Sequence, residues 1–155
     1  MQNVFREDLI WLDQEVESQH SFYRKMGEKL YKRGLVEETF GQALIDREQV
    51  FPTGLKTDAF EIAIPHTDVE HVREVFIAFV RFKETVPYSH MGEPELTVNA
   101  KFAFVLGIKD PKKQIEVLST LVKLISDGET MGMLKRLKST AEICDKMNLF
   151  FEQNM

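Results

Sequence analysis

The chain has 155 residues, with 20 Lys and Arg against 25 Asp and Glu (formal net charge −5), and it is 43% hydrophobic and 29% charged. That length suits a single domain with a proper core over 1–155, and the composition excludes a disordered tail or a fibre. The acidic balance excludes the broad basic surface that nucleic acid or an anionic membrane needs, and the lone cysteine, Cys144, excludes an internal disulfide or a thiolate metal cluster.

Met1 to Ile10 reads as a short lead-in or strand. The N-terminus carries Arg6, Glu7 and Asp8 and has no signal-peptide core, and no run approaches the ~20 apolar residues that span a bilayer. The expectation is a cytoplasmic protein with no direct membrane insertion. From about Leu12 to Arg33 the spacing of Val16, His20, Phe22, Tyr23, Met26 and Leu30 predicts a helix, capped at Gly34. A second helix is predicted over 37–50, with Phe40, Ala43, Leu44 and Glu48 helically spaced and Phe51-Pro52-Thr53-Gly54 ending it.

The period then changes. Glu61 to Ile64 is a short apolar stretch ended by Pro65. Val75 to Phe82 and Lys101 to Ile108 read as strands buried on both faces, separated by a polar, turn-rich loop over 83–99. After Asp110-Pro111, an amphipathic helix is predicted with Ile115, Leu118, Leu121, Val122 and Ile125 on its core face, ending at Asp127-Gly128. Two shorter helices follow, over 129–137 and 140–151. Helices alternating with apolar strands predict an α/β fold, a small sheet flanked by helices. Cys144 falls at a core or helix-face position.

Dinucleotide, Walker, zincin and serine-hydrolase signatures are all missing. His66 and His71, five apart, do not share a helix face, and no third ligand joins them, so neither a metal nor a cofactor is expected. The informative segment is FPTGLKTDAFEIAIPHTD, from Phe51 to Asp68. A strand ending at Pro65 places the imidazole of His66 at a sheet edge, where open α/β sheets form their crevices. Pro65 ends strand pairing and fixes the direction of the next side chain. Thr67 and Asp68 can open a turn whose N–H groups face a phosphate. His20 reads as a core-edge residue. His71 and His90 read as solvated, with a place lining the site as the alternative.

REQVFPTGL followed by AIPHTD resembles the enzyme IIA component of the phosphoenolpyruvate-dependent sugar phosphotransferase system. The similarity is to the mannitol/fructose-type superfamily and most closely to its galactitol-type branch, and it covers about 36–139. Arg47-Glu48, Phe51 to Gly54 and Ala63-Ile64-Pro65-His66 match directly, and FVLGIKDPKKQIEVLSTL resembles the family's strand–loop–helix element. Mannitol- and fructose-type members usually carry a second histidine where this chain has Gln114, whereas galactitol-type members similarly lack it. The residue after the active histidine, commonly Gly, Ala or Cys, is Thr67 here.

The resemblance implies a small mixed sheet and a covalent relay. Phosphorylated phosphocarrier protein HPr would donate to His66, which would pass the group to a cysteine of enzyme IIB, with a membrane enzyme IIC downstream. It also implies Nε2 as the accepting nitrogen, with the other nitrogen held by a hydrogen bond. Neutral imidazole is a competent nucleophile near neutral pH. Arg47 would neutralise phosphoryl charge, Thr53 would hydrogen-bond a phosphoryl oxygen, and the Gln114 amide would donate where a histidine otherwise does. The plainer alternatives are a helix-end salt bridge of Arg47 with Glu48, a turn-stabilising Thr53 hydroxyl and a solvated Gln114. A regulatory phosphoacceptor or a protein-interaction module are the rival functions.

Overall fold

The computed structural model describes residues 4–155. Among them, five strands form one mixed sheet in the order β1-β4-β5-β3-β2. They are β1 (Ile10–Gln14), β2 (Gly54–Lys56), β3 (Glu61–Ala63), β4 (Phe76–Ser89) and β5 (Thr97–Gly107). β4 and β5 pair antiparallel, as do β2 and β3, while β1 runs parallel to β4 and β3 parallel to β5.

Side chains of a strand alternate between faces, and here both faces are covered. Ala103 and Val105 of β5 join Phe22, Tyr23, Leu30, Phe40 and Leu44 in one core, under α1 (Gln19–Lys32) and α2 (Phe40–Val50). Phe102, Phe104 and Leu106 face the other way. They pack against Leu121, Leu124, Met131, Ile143 and Phe151 from α3 (Ile115–Ser126), α4 (Gly128–Arg136) and α5 (Thr140–Asn154). The near-continuous apolar runs of β4 and β5 follow from that double burial. Cys144 lies buried in the second core.

Several boundaries depart from expectation. The first helix starts at Gln19, because Ser18 forms a reciprocal capping box with Ser21 and the residues before it are strand and loop. Gly34 takes the left-handed conformation expected of a helix stop, with φ 76°. The loop expected over 83–99 is mostly strand: after a register shift between Arg81 and Val86, the β4–β5 ladder continues from Val86↔Ala100 to Ser89↔Thr97. On the amphipathic α3 the buried stripe is Thr120, Leu121, Leu124 and Ile125. Ile115 and Val122 are instead 63% and 56% exposed, because their stripe turns away from the sheet. His20 is also exposed, not at the core edge, since α1 buries the Phe22–Met26–Leu30 face. Of the lead-in, Met1 to Asn3 lie outside the described residues. The remainder ends in a short 3₁₀ turn, Glu7–Leu9, that leads into β1.

For the site, the decisive feature is the end of β3. Regular pairing stops at Ala63, yet Pro65 does not end it altogether. Leu106 N–H donates to the Pro65 carbonyl at 2.9 Å, and an isolated parallel bridge joins His66 to Leu106. Pro65 lacks a donor but keeps its acceptor, so β5 holds the backbone on which His66 stands.

Candidate functional site

His66 is half-buried at the carboxyl end of β3. Its Nδ1 lies 2.8 Å from the Ile64 carbonyl oxygen. A carbonyl only accepts, so Nδ1 carries the proton and Nε2 keeps its lone pair. Burial pushes the imidazole pKa below its ordinary value of 6.5, and the nearby Arg47 cation adds to that. The Ile64 carbonyl and the Asp68 carboxylate pull the other way without reversing it. The ring is therefore neutral at neutral pH, with one nitrogen tied and the other available to attack.

Arg47 stands in the last turn of α2, and its ion-pair partner is Asp68, not Glu48: Nη1 donates to Asp68 Oδ1 at 2.6 Å. The guanidinium lies over the Phe51 ring at 5.0 Å. Its Nε–H is buried and has no acceptor among the described residues. Buried donors are seldom left so, and one at a crevice marks a place where an acceptor is missing.

Glu48 points inward. Its carboxylate accepts from the Tyr23 hydroxyl (2.7 Å), the Thr53 hydroxyl (2.8 Å) and the Thr53 N–H (2.6 Å). Thr53 is 2% exposed with its hydroxyl proton committed to Glu48, so it is not poised to donate to an incoming phosphoryl group. It reaches the site another way. The Thr53 carbonyl accepts from Ile64 N–H at 3.1 Å, and Ile64 is the residue whose carbonyl orients His66.

Thr67 is buried, and its hydroxyl donates to the Asp68 carbonyl at 2.9 Å, bracing the turn after His66. Gln114 is also buried, not solvated, at the N-cap of α3. Its Oε1 accepts from the N–H groups of Lys109 (2.8 Å) and Asp110 (3.1 Å). Those two bonds fasten the β5–α3 loop, with no side-chain cap on the helix itself, and leave the amide –NH₂ unused by them. Lys109 Nζ ties the loop to the Val72 carbonyl at 2.8 Å, just after the turn that follows His66.

The other histidines divide. His71 is within 2.7 Å of the Thr39 hydroxyl and borders a groove of about 480 Å³ whose walls also include Arg47, Val50, Phe51 and Asp68. His71 thus shares a groove with Arg47 and Asp68, but His66 is not among that groove's walls. His90 accepts from the N–H groups of Gly92 and Glu93 and serves the β4–β5 turn. Among the described residues no cluster of three or more His, Cys, Asp or Glu is arranged to hold a metal, and no helix is long and apolar enough to cross a membrane. The roles of Asp68 as partner of Arg47, and of Glu48 and Tyr23 as anchors of Thr53, carry no sequence signature. An ion pair across 21 residues has no period, and only the inward spacing of Glu48 on α2 hinted at its burial.

The family model described as "Phosphoenolpyruvate-dependent sugar phosphotransferase system, EIIA 2" matches residues 3–148. The chain belongs to this family. As an EIIA component it is a phosphotransferase, and the fold described above is that of its structural neighbours. The galactitol-specific EIIA component of Escherichia coli K12 is 28% identical over 115 residues, covering 74% of this chain and 76% of that protein. The mannitol-specific enzyme IIA component of Staphylococcus aureus N315 is 29% identical over 146 residues, covering 92% and 94%. The crystal structure of IIA mannitol from E. coli superposes with a TM-score of 0.73 at 27% identity, over 92% of this EIIA chain and 98% of that one. The nitrogen regulatory protein IIA-Ntr of Neisseria meningitidis superposes with a TM-score of 0.74 at 25% identity, over 93% and 96%.

Proposed function

We propose that His66 is the phosphoryl acceptor of this EIIA component, charged by phospho-HPr and discharged to a cysteine of a IIB partner in the cytoplasm, with a membrane IIC downstream. The observation that carries this reading is the Nδ1–Ile64 carbonyl bond, which leaves a neutral ring with Nε2 as its free nucleophile. In the forward step the Nε2 lone pair forms the N–P bond while the donor's N–P bond breaks, and the donor histidine leaves with that electron pair. Nδ1 keeps its proton, and the Ile64 carbonyl stabilises the positive ring that results. Transfer of this kind needs positioning and charge stabilisation more than covalent chemistry.

Arg47 supplies the charge, since its unused Nε–H and the Nη2–H beside it form a fork suited to two phosphoryl oxygens, with Nη1 on Asp68 at the other edge. Gln114 offers its amide –NH₂ as a neutral donor. Thr53 and Thr67 support the site by holding the backbone on either side of His66. A IIB partner is supported by a structural neighbour, the complex of enzyme IIA mannitol with phosphorylated enzyme IIB mannitol from E. coli, to which this chain is 25% identical. A galactitol-like sugar alcohol is the favoured cargo class, because Gln114 stands where mannitol- and fructose-type members usually carry a histidine.

A second reading has one observation in its favour, the likeness to the nitrogen regulatory IIA-Ntr: the phosphohistidine would then control binding to a regulatory partner. Incubation with phosphoenolpyruvate, enzyme I and HPr tests the common core of both. The expected result is an acid-labile, base-stable phosphate on the wild-type chain that is absent from His66→Ala. An unlabelled wild type with active carriers refutes both and leaves an interaction module. Discharge of the label to a IIB cysteine separates transport from regulation.

A further inference from the structure

We infer that Asp68 is the resident counter-ion of the phosphoryl clamp: it occupies Arg47 while His66 is unmodified, competes with the arriving phosphoryl group for that cation's charge, and so holds down the stability of phospho-His66. The inference rests on the reading of His66 and Arg47 given above and adds a positioning residue to it.

The geometry is particular. Asp68 stands two residues beyond His66, at the head of the 3₁₀ turn Val69–His71, where an aspartate would ordinarily cap. It makes no such cap bond, and its carboxylate turns to Arg47 at 2.6 Å instead. The two partners are unequally held. The Asp68 side chain is 68% exposed and that of Arg47 29%, with Arg47 further restrained over the Phe51 ring. If the pair opens, Asp68 is the member with room to leave. A partly exposed pair of this kind is weak enough to exchange.

Asp68 takes only Nη1 of Arg47, and the buried Nε–H on the opposite edge of the guanidinium has no acceptor. A phosphoryl group brings three strong acceptor oxygens and a charge of about −1.5 to −2, so it can engage the Nε–H and Nη2–H edge with two oxygens where Asp68 holds Nη1 with one. Two anions then compete for the charge of one guanidinium, and the Asp68 carboxylate remains a like charge beside the phosphoryl group. Both effects raise the free energy of the phosphorylated state relative to a site without Asp68. A relay carrier must give its phosphoryl group away again, and a counter-ion that already neutralises part of the Arg47 charge favours that release. No bond of Asp68 is made or broken beyond this ion pair; the N–P bond forms and breaks only at His66.

The test is the equilibrium between purified phospho-HPr and the full chain, read as the fraction of each protein phosphorylated by intact mass. Asp68→Asn is expected to raise the equilibrium constant toward phospho-His66 about fivefold, and Asp68→Glu, which keeps the carboxylate, to stay within about twofold of wild type. In an Arg47→Gln background the gain from Asp68→Asn is expected to fall below about twofold, because the cation they compete for is gone. Asp68→Ser provides a second uncharged replacement should the asparagine variant fold poorly. An unchanged or lowered constant in the uncharged variants, or an equal gain without Arg47, overturns the role of Asp68 alone. Failure of wild-type His66 to accept phosphate from phospho-HPr overturns the underlying reading instead.

Discussion

Replacing Glu48 is the sharpest probe of how the core sets the site. Its carboxylate accepts three hydrogen bonds at 2.6–2.8 Å from Tyr23 and Thr53, residues that are 0% and 2% exposed. Glu48→Ala leaves two hydroxyls and one backbone N–H without that acceptor. Each buried orphan costs about 1–3 kcal/mol. The hydroxyls can rotate toward other acceptors, whereas the N–H cannot, and removing a buried carboxylate returns part of its desolvation penalty. The net loss expected is about 3 kcal/mol, against about 1 kcal/mol for Glu48→Gln, which keeps the volume and one acceptor oxygen. Urea unfolding at pH 7 measures both. The sign of the pH dependence provides an internal check. Burial raises the Glu48 pKa above its ordinary 4.5, so the native state binds an extra proton just above that pH. This group's contribution to stability therefore falls as pH rises through the window between the two values, and Glu48→Gln flattens that part of the curve. A Glu48→Ala variant within about 1 kcal/mol of wild type refutes the reasoning, since it would mean that the fixed Thr53 N–H is not orphaned by the loss of the carboxylate.

Three further outcomes follow from the same geometry. His66, with its pKa held below 6.5 chiefly by burial, is expected to titrate by NMR with a midpoint under that value; its stabilising contribution is then full above pH 6.5 and lost as pH falls through the lowered pKa. Its phosphorylation rate is expected to be flat across neutral pH, and a midpoint at or above 6.5 contradicts the burial account. Gln114→Ala removes the acceptor for two loop N–H groups and is expected to lower stability by about 1 kcal/mol in thermal melts, while Gln114→His leaves His66 phosphorylatable but makes the transfer rate titrate near neutrality. An unchanged rate–pH profile for Gln114→His counts against a contact between residue 114 and the phosphoryl group. Gly107→Ala would place a Cβ 2.2 Å from the Phe76 ring, so a loss of about 1–3 kcal/mol is expected in unfolding experiments, and no loss would show that the ring moves aside freely.

What the sequence makes legible follows burial. The cores of β4 and β5 are visible because both faces are covered, so Phe76 to Val80 and Phe102 to Leu106 are apolar without interruption. Beyond Phe82 the β4–β5 hairpin continues with only Val86, Tyr88, Val98 and Ala100 buried. That alternation is hidden among polar partners, Pro87 and a register shift, and it reads as loop. On α3 the apolar residues outnumber those the sheet can cover, so spacing alone misassigns Ile115 and Val122 to the core. His66 is conspicuous because a proline and an apolar strand end precede it. The functions of its neighbours are not, because they depend on pairings across the chain: Arg47 with Asp68, and Thr53 with Glu48.

Those two pairings give the site its division of labour. From Tyr23 through Glu48, Thr53 and the Ile64 backbone, an unbroken line of hydrogen bonds runs out of the core to Nδ1 of His66. Every link is backbone or a buried side chain, so the tautomer and direction of the ring are set by the folding of β2, β3 and α2 together and not by surface groups. Thr53 belongs to that line, which explains why a hydroxyl beside an active-site turn faces inward. Arg47, by contrast, sits at a helix end with a partner that is largely exposed and a donor left over. A nucleophile needs a fixed geometry before the phosphoryl group arrives, because misplacement at the reacting atom costs rate directly. The cation that answers the charge must take up a second anion and give it back, which a rigid, fully buried pair would resist. Rigid backing for His66 and a loosely held partner for Arg47 are therefore the arrangement that suits a reversible carrier.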